Sequence, residues 1–366
     1  MYGRIRNSGW RDRSRPRSSK SSSPVRSFRY HATDRAGHAA GEWLETELSN
    51  DASQFNTIDL TVAPSRSAEW PTIALLGSFF ATWLSVVWLH ESIPWPLQLI
   101  VLVPLGGLWM SLGHELLHGH PTRWNWVNTA IGSLPLALWL PFGRYKSLHI
   151  EHHLSDLTSP EDDPESFYVS PPAWQQAGPW RRRYFLFLRT VPGRLTIGVP
   201  RGILRFWRRE IRLVGRGGVV RPWLLHIVTA AALCWWLFGI VGVDPLVYVV
   251  GFCLGGASCT QLRSFIEHAA VAEGTRSAVV KASPPMALLY LNNNLHHTHH
   301  TVPQAAWYKI PALHRELGSD DVAARGAGLY AGGYLEVVRT YFFHAFCQPD
   351  HPLSPGARPR GSRGIS

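Results

Sequence analysis

"PTIALLGSFFATWLSVVWLHESIPWPLQLIVLVPLGGLWMSLGHELLHGH", residues 71–120, is the stretch on which the reading of the fold turns. Residues 71–90 and 94–113 contain no Lys, Arg, Asp or Glu. Each reaches the roughly 20 residues a helix needs to cross a hydrocarbon core of about 30 Å. A second pair follows at 222–240 and 245–262, equally free of those residues. One uncharged run would suit a buried core helix, but four of them in two closely spaced pairs predict membrane spans. A fifth apolar stretch, "TAIGSLPLALWLP" at 129–141, is too short to span and carries an internal Pro, which predicts a re-entrant or interfacial segment.

The chain has 366 residues, 45% of them hydrophobic, and a net charge of +11. That charge is concentrated. Residues 1–30 hold eight Arg and one Lys against one Asp, residues 181–221 hold twelve Arg against Glu210, and the remainder is net negative. Both basic blocks flank spans, whereas the turns "HESIP" and "VGVDP" inside each pair carry an acid and no Lys or Arg. Positive-inside logic then places both termini and the long middle segment in the cytoplasm, with two hairpins dipping across the bilayer. Contact with anionic headgroups accounts for the basic blocks and leaves no call for nucleic acid. The composition divides the chain into a basic, partly disordered region at 1–69, a membrane domain at 70–347 and a disordered tail at 348–366. Cys234, Cys253 and Cys259 lie in or near spans and Cys347 stands alone, so neither a disulfide framework nor a CxxC metal pair is indicated. The Arg to Lys ratio of 32 to 4 hints at GC-rich coding and a bacterial inner membrane.

Histidine is the residue that carries chemistry. His114 and His118 stand four apart where the second span continues, and His149, His152 and His153 follow in "HIEHH". His296, His299 and His300 repeat that spacing in "HHTHH", and His268 follows the fourth span. Spacings of three and four put side chains on one helical face. If 129–141 does not cross, all nine rings meet on one side of the bilayer. Nine imidazoles are too many for one ion and suit two, with nitrogen-rich open sites favouring iron and dioxygen chemistry and zinc possible on ligand type. Taken singly, His90 and His226 read as polar residues of a membrane interface.

With these three boxes in this order, the chain resembles the membrane fatty-acid desaturase and hydroxylase family over roughly residues 70–315. The resemblance implies an all-α integral membrane fold, with four transmembrane helices in two hairpins and a cytoplasmic helical cap carrying the histidine boxes. It implies a di-iron centre that uses O2 and two electrons to abstract hydrogen from a lipid-like or fatty-acyl chain, giving desaturation or, alternatively, hydroxylation. His114, His118, His149, His152, His153, His268, His296, His299 and His300 would be its ligands, with His120 and His297 in outer or packing roles. One departure stands out: where some acyl desaturases place an Asn four residues before the isolated histidine, this chain has Ser264.

Asn292, Asn293 and Asn294 can orient ligands or form a turn, and Asp162 and Asp163 can accept imidazole protons. Arg144, Lys146 and the 181–221 block suit an acidic redox partner or lipid headgroups. No haem-binding HPGG, ferredoxin-like Cys set or GxGxxG loop is present, so electrons are expected from a separate, ferredoxin-like protein. "HELLH" also matches HExxH, the zinc-protease motif in which Glu115 would act as general base, but that reading leaves most of the histidines without a role. A metal transporter would be expected to place histidines inside its spans or in irregular loops.

Overall fold

The computed structural model describes residues 68–354, and they are mostly helical. Four of the described helices are long and apolar enough to cross a membrane: α1 (Trp70–Trp88), α2 (Trp95–Leu117), and two more separated by about a hundred residues. Between the pairs lie α3 (Asn125–Gly132), α4 (Phe142–Leu154) and α5 (Val199–Gly215). The second pair is α6 (Val220–Val241) and α7 (Pro245–Ser264), and α8 (His296–Thr301) follows. The expected boundary of the second span, at 113, falls short by a turn. Glu115, Leu116 and Leu117 continue the helix without a breaker, so His114 sits within α2 and His118 forms its C-terminal cap.

The short turns are built by capping. Gly242, with φ of 86°, ends α6 in a left-handed conformation that costs a glycine little. Asp244 Oδ1 then accepts from the Leu246 and Val247 N–H groups at 2.7 and 3.0 Å, starting α7. At the other turn Gln98 Nε2 donates to the carbonyls of His90 and Ile93, both at 2.8 Å. The two turns are neighbours, since a methyl group placed on Gly242 would lie 3.9 Å from His90 Nε2.

The core lies between α1, α2 and α7. Phe79 stacks on Trp109 with ring centres 5.2 Å apart, and Phe252 and Tyr248 stack behind them. Glycine sets the closest approach: a Cβ on Gly106 would meet the Phe252 carbonyl oxygen at 2.1 Å, and one on Gly256 would meet the Gly106 backbone at 2.5 Å. In lipid, where hydrophobic driving force between helices is absent, such backbone proximity supplies the packing. By contrast, α6 leaves Leu224, Leu225, Ile227, Val228 and Trp235 more than half exposed. A water-facing helix would not present that stripe.

The stretch 129–141 forms no spanning helix. It is the end of α3 followed by tight turns, with Leu138 at φ of 60°. Its free carbonyls are met by side chains from α7, α6 and α5: Tyr248 Oη donates to Leu136 O at 3.0 Å, His226 Nε2 lies 3.0 Å from Leu138 O, and Trp207 Nε1 donates to Trp139 O at 2.9 Å. Cys253 Sγ also points at Leu136 O, so this loop reaches about half-way along α7. Irregular backbone is tolerated at that depth only when protein satisfies it. His226 therefore serves inside the protein and is buried, unlike the interface residue its sequence context suggested.

Two differences from the all-α expectation concern small elements. Strand β1 (Val279–Val280) pairs in parallel with β2 (Leu329–Tyr330), a sheet of two residues per strand. Residues 348–354, placed in the tail by composition, pack against the chain: Val169 N donates to Pro349 O at 2.8 Å, His351 N donates to Val169 O at 3.1 Å, and His351 Nε2 lies 3.0 Å from Thr158 Oγ1. The polar backbone of a Pro-rich segment finds partners there that composition does not reveal. Of the expected terminal regions 1–69 and 348–366, residues 1–67 and 355–366 lie outside the described residues.

The glycine crossing is testable. Gly106→Val should destabilise the protein by about 3 kcal/mol or more, because rigid backbone rather than a flexible side chain blocks the new atoms. Gly77→Ala, on an exposed face with nothing within 4 Å, should be neutral or stabilising by up to about 1 kcal/mol. Thermal unfolding of the two variants in detergent checks the contrast.

Candidate metal centre

Each histidine box is delivered by a regular element. α2 brings His114 and, at its cap, His118; α4 brings His149, His152 and His153; α8 brings His296, His299 and His300. α8 is only six residues long and needs outside support. Leu291 and Asn292 turn the chain with φ of 49° and 57°. Asn294 Nδ2 then donates to Val280 O, and the Val280 N–H donates to Asn294 O. His268 is attached to the same scaffold, because Ala278 N donates to Glu267 O at 2.8 Å and Ala269 N donates to Arg276 O at 3.1 Å. The segment around β1 thus ties His268 on one side to α8 on the other.

The rings converge in two groups. Ligand atoms of His114, His118, His149 and His299 lie within 4.8 Å of one another, as do those of His152, His268, His296 and His300. His153 adjoins the first group, its Nε2 3.0 Å from that of His149 and 3.1 Å from that of His299, and its ring centre is 4.4 Å from that of His300. All nine sequence-selected histidines therefore occupy one cluster. His120 and His297 stay out of it: His120 Nδ1 lies 2.9 Å from Glu69 Oε1, and His297 Nδ1 lies 3.1 Å from Thr275 Oγ1.

The outward nitrogens are held by acceptors. Nδ1 of His149 faces Glu165 at 2.9 Å, Nδ1 of His152 faces Asp163 at 2.8 Å, Nδ1 of His296 faces Asn293 Oδ1 at 2.9 Å, and Nδ1 of His268 faces the Arg276 carbonyl at 3.2 Å. A ring that donates through Nδ1 turns a bare lone pair inward at Nε2. The Nε2 atoms meet head to head, at 2.9 Å for His114 and His149, 3.1 Å for His152 and His268, 3.0 Å for His268 and His296, and 3.1 Å for His296 and His300. Between His268 and His296, each of which has an acceptor at Nδ1, two lone pairs at such a distance repel. His118 Nε2 is buried with no partner at all.

A metal ion resolves both problems. Bonds of about 2.1 Å put adjacent nitrogens about 3.0 Å apart at right angles and about 3.4 Å apart at the tetrahedral angle. The observed 2.9–3.1 Å lies within the range in which neighbouring imidazoles can share one ion.

Electrostatics favours neutral rings at most of these positions, His152 excepted. Burial, reinforced by neighbouring histidines, pushes His118, His296, His299 and His300 well below the usual imidazole range, and burial and His149 bring His153 to about 3. His268 is lowered to about 3 by burial and then by His152. His152 moves the other way, to about 9, because Glu165, Asp163 and Glu267 outweigh its burial. Glu165 is itself held below the usual carboxylate range, as His152 and His149 overcome its desolvation. Burial lifts Glu267 to about 7 against the pull of Arg263, its ion-pair partner at 2.8 Å.

Of the acidic residues singled out in sequence, Asp163 has the anticipated partner, and it also accepts from the Thr158 and Glu165 N–H groups. Asp162 instead accepts from the Asp156 backbone N–H at 2.6 Å. Asn293 orients a histidine, while Asn292 and Asn294 hold backbone carbonyls, so the triplet performs both of the roles open to it. Glu165 and Glu267 were missed, and only Glu165 left a signal, as a carboxylate in the acidic loop after the second box. Glu115 accepts from the Trp307 backbone N–H at 3.1 Å, which gives it a structural task. Ser264 lines a cavity of about 730 Å³ beside His149, Glu165 and His268.

Losing the charge behind a ligand should weaken it without removing it. Asp163→Asn is expected to lower metal affinity about 10–100-fold. His297→Ala should change it by less than about threefold, since that ring is outside both groups. Competition against a chromophoric chelator reads both.

Comparison with known proteins gives one family match: the family model described as fatty acid desaturase covers residues 92–333, well over half of the chain and a span that includes all three boxes. No curated protein matches the chain.

Proposed function

Since the chain belongs to the fatty acid desaturase family and is thereby a membrane oxidoreductase, we propose that it is an O2-dependent di-iron enzyme that desaturates a fatty-acyl or lipid-like chain. The observation that carries the reading is the double set of converging imidazole nitrogens, with the outward nitrogens of His149, His152, His296 and His268 held by Glu165, Asp163, Asn293 and a carbonyl. His114, His118, His149, His153 and His299 are assigned to one ion, and His152, His268, His296 and His300 to the other. Bound iron would supply activation of O2 and removal of hydrogen from an unactivated C–H bond.

The chain's own residues do the rest. Asp163 and Glu165 fix the ring tautomers and balance the charge of the centre. The second set has one histidine fewer, and the half-buried Ser264 lines the same cavity as His149 and His268. Met110, Trp139, Leu140 and Ala257 give the same cavity an apolar side among the spans, suited to an acyl chain.

The topology belongs to the proposal. α1 with α2 and α6 with α7 form two hairpins with their neighbouring turns on the far side, and the boxes form a cap on the cytoplasmic side of a bacterial inner membrane. Electrons arrive from a separate ferredoxin-like protein, and basic residues on the cytoplasmic face serve that encounter. Hydroxylation of the same chain is the alternative outcome, since both reactions share the first hydrogen abstraction.

Lipid profiling of a host expressing the chain separates the two: desaturation removes two hydrogens from an acyl chain, and hydroxylation adds one oxygen. Purified protein should hold two irons and consume O2 only with reductant, and iron chelation should abolish turnover. His299→Ala or His152→Ala should lose bound iron and reduce turnover at least about 100-fold, whereas His297→Ala should keep both. Zinc in place of iron, with hydrolysis of a peptide, would refute the proposal.

A further inference from the structure

The cavity beside the histidines has a second wall that the reaction does not require. α5 lines it with Arg201, Arg205, Arg209, Arg212 and Arg216, spaced four, four, three and four residues apart and so along one helical face. The opposite face exposes Leu204, Trp207 and Ile211, which suits a helix lying in the membrane interface with its arginines turned to the cavity. Arg194, on the turn preceding α5, joins the same wall.

These cations are short of counter-ions. Among the described residues, the only carboxylate within 4.0 Å of any of the six is Glu151, 3.9 Å from Arg209 in an exposed pair. Arg194 Nε is buried without a hydrogen-bond partner, and so is Nη1 of the buried Arg189 behind it. Burial, together with Arg189 and Arg201, pushes Arg194 down to about 9, and burial with Arg201 and Arg209 lowers Arg205. Like charges gathered in a hollow without partners disfavour one another, and a bound anion removes that cost. The acids of the cavity are engaged at its other end: Asp163 and Glu165 face histidines and Glu267 pairs with Arg263. Glu161 and Asp162, on the loop after the second box, also line it and would turn an anion toward α5.

We propose that the α5 wall is a headgroup subsite for a phosphate-bearing acyl lipid, so that the enzyme's substrate is an anionic lipid rather than a free or neutral acyl chain. This deepens the reading of the metal centre and rests on it. Guanidinium groups pair with phosphate through two parallel N–H donors. One cavity offers a basic wall, an apolar wall of Met110, Trp139, Leu140 and Ala257, and the edge of the histidine cluster. An amphiphile matches that sequence of surfaces. A protein partner would be met by a convex or flat face, whereas about 730 Å³ of concave space is the scale of a small molecule.

The test measures equilibrium binding of palmitoyl lysophosphatidate, monopalmitoylglycerol and inorganic phosphate to the full-length, iron-loaded protein in detergent. Lysophosphatidate should bind at least about tenfold more tightly than the neutral lipid, the factor expected from one or two charge-assisted hydrogen bonds. The double variant Arg201→Gln, Arg205→Gln should erase that preference, Arg205→Lys alone should keep most of it, and Arg325→Gln, which removes an exposed charge that does not line the cavity, should change it less than about twofold. Equal binding of the two lipids would overturn the proposal, as would an equal loss with Arg325→Gln. Inorganic phosphate binding as tightly as lysophosphatidate would reassign the wall to a free anion. Unchanged lipid binding in the double variant, with electron delivery from an acidic ferredoxin lost, would reassign it to a redox partner. Binding is read apart from product: a protein that binds lysophosphatidate but forms neither an unsaturated nor a hydroxylated chain refutes the reading of the metal centre and leaves this one standing.

Discussion

Imidazole nitrogens facing one another at about 3 Å are the constraint around which the rest of this protein is arranged. Burial favours the neutral form of most of these rings, His152 excepted, and a shared metal ion would take up the electron pairs they turn inward. Each condition makes a demand on the chain. Neutrality is favoured by burial; orientation is set by acceptors behind the rings; convergence requires four separate segments to meet. Asp163, Glu165, Asn293 and the Arg276 carbonyl meet the second demand. The β1 segment and the glycine-tight packing of α2 on α7 meet the third.

The membrane part of the structure works toward the same end. Because Gly106 and Gly256 let the α2 and α7 backbones touch, the end of α2 that carries His114 and His118 is brought close to the end of α7 that leads into His268. The loop at 129–141 returns to the side it came from, with its carbonyls satisfied by Tyr248, His226 and Trp207. A full crossing there would have sent α4 and its three histidines to the opposite face. Side chains on helices distant in sequence thus help decide where the second box lies.

Buried charge away from the histidines is handled in two ways. Arg144 is buried and paired twice with Glu210, at 2.6 and 3.0 Å, and Trp223 donates to the same carboxylate. That is a closed unit, in which every polar atom has a partner and which fixes α4 against the basic helix. The arginines of the α5 cavity wall lack such closure. The contrast between a buried cation paired with a carboxylate and a row of half-buried and exposed cations with one distant carboxylate among them separates residues that hold the fold from residues available to a ligand.

The spans were legible because lipid imposes a length and a charge rule that local sequence alone can meet or fail, and four segments meet it. The boxes were legible because helical spacing puts i, i+3 and i+4 on one face whatever the helix packs against. What lay beyond one helix was not. Glu267 as a partner of His296, the strand that joins His268 to α8, the packed segment 348–354 and the inward service of His226 all depend on contacts between residues far apart in the chain. The sequence by itself determined how many helices cross the membrane and which faces bear imidazole, because both are properties of a single helix in a known solvent. Only the tertiary structure decided which rings gather in each group, which carboxylates stand behind them and which arginines line the cavity, because those follow from distances between segments that no local pattern encodes.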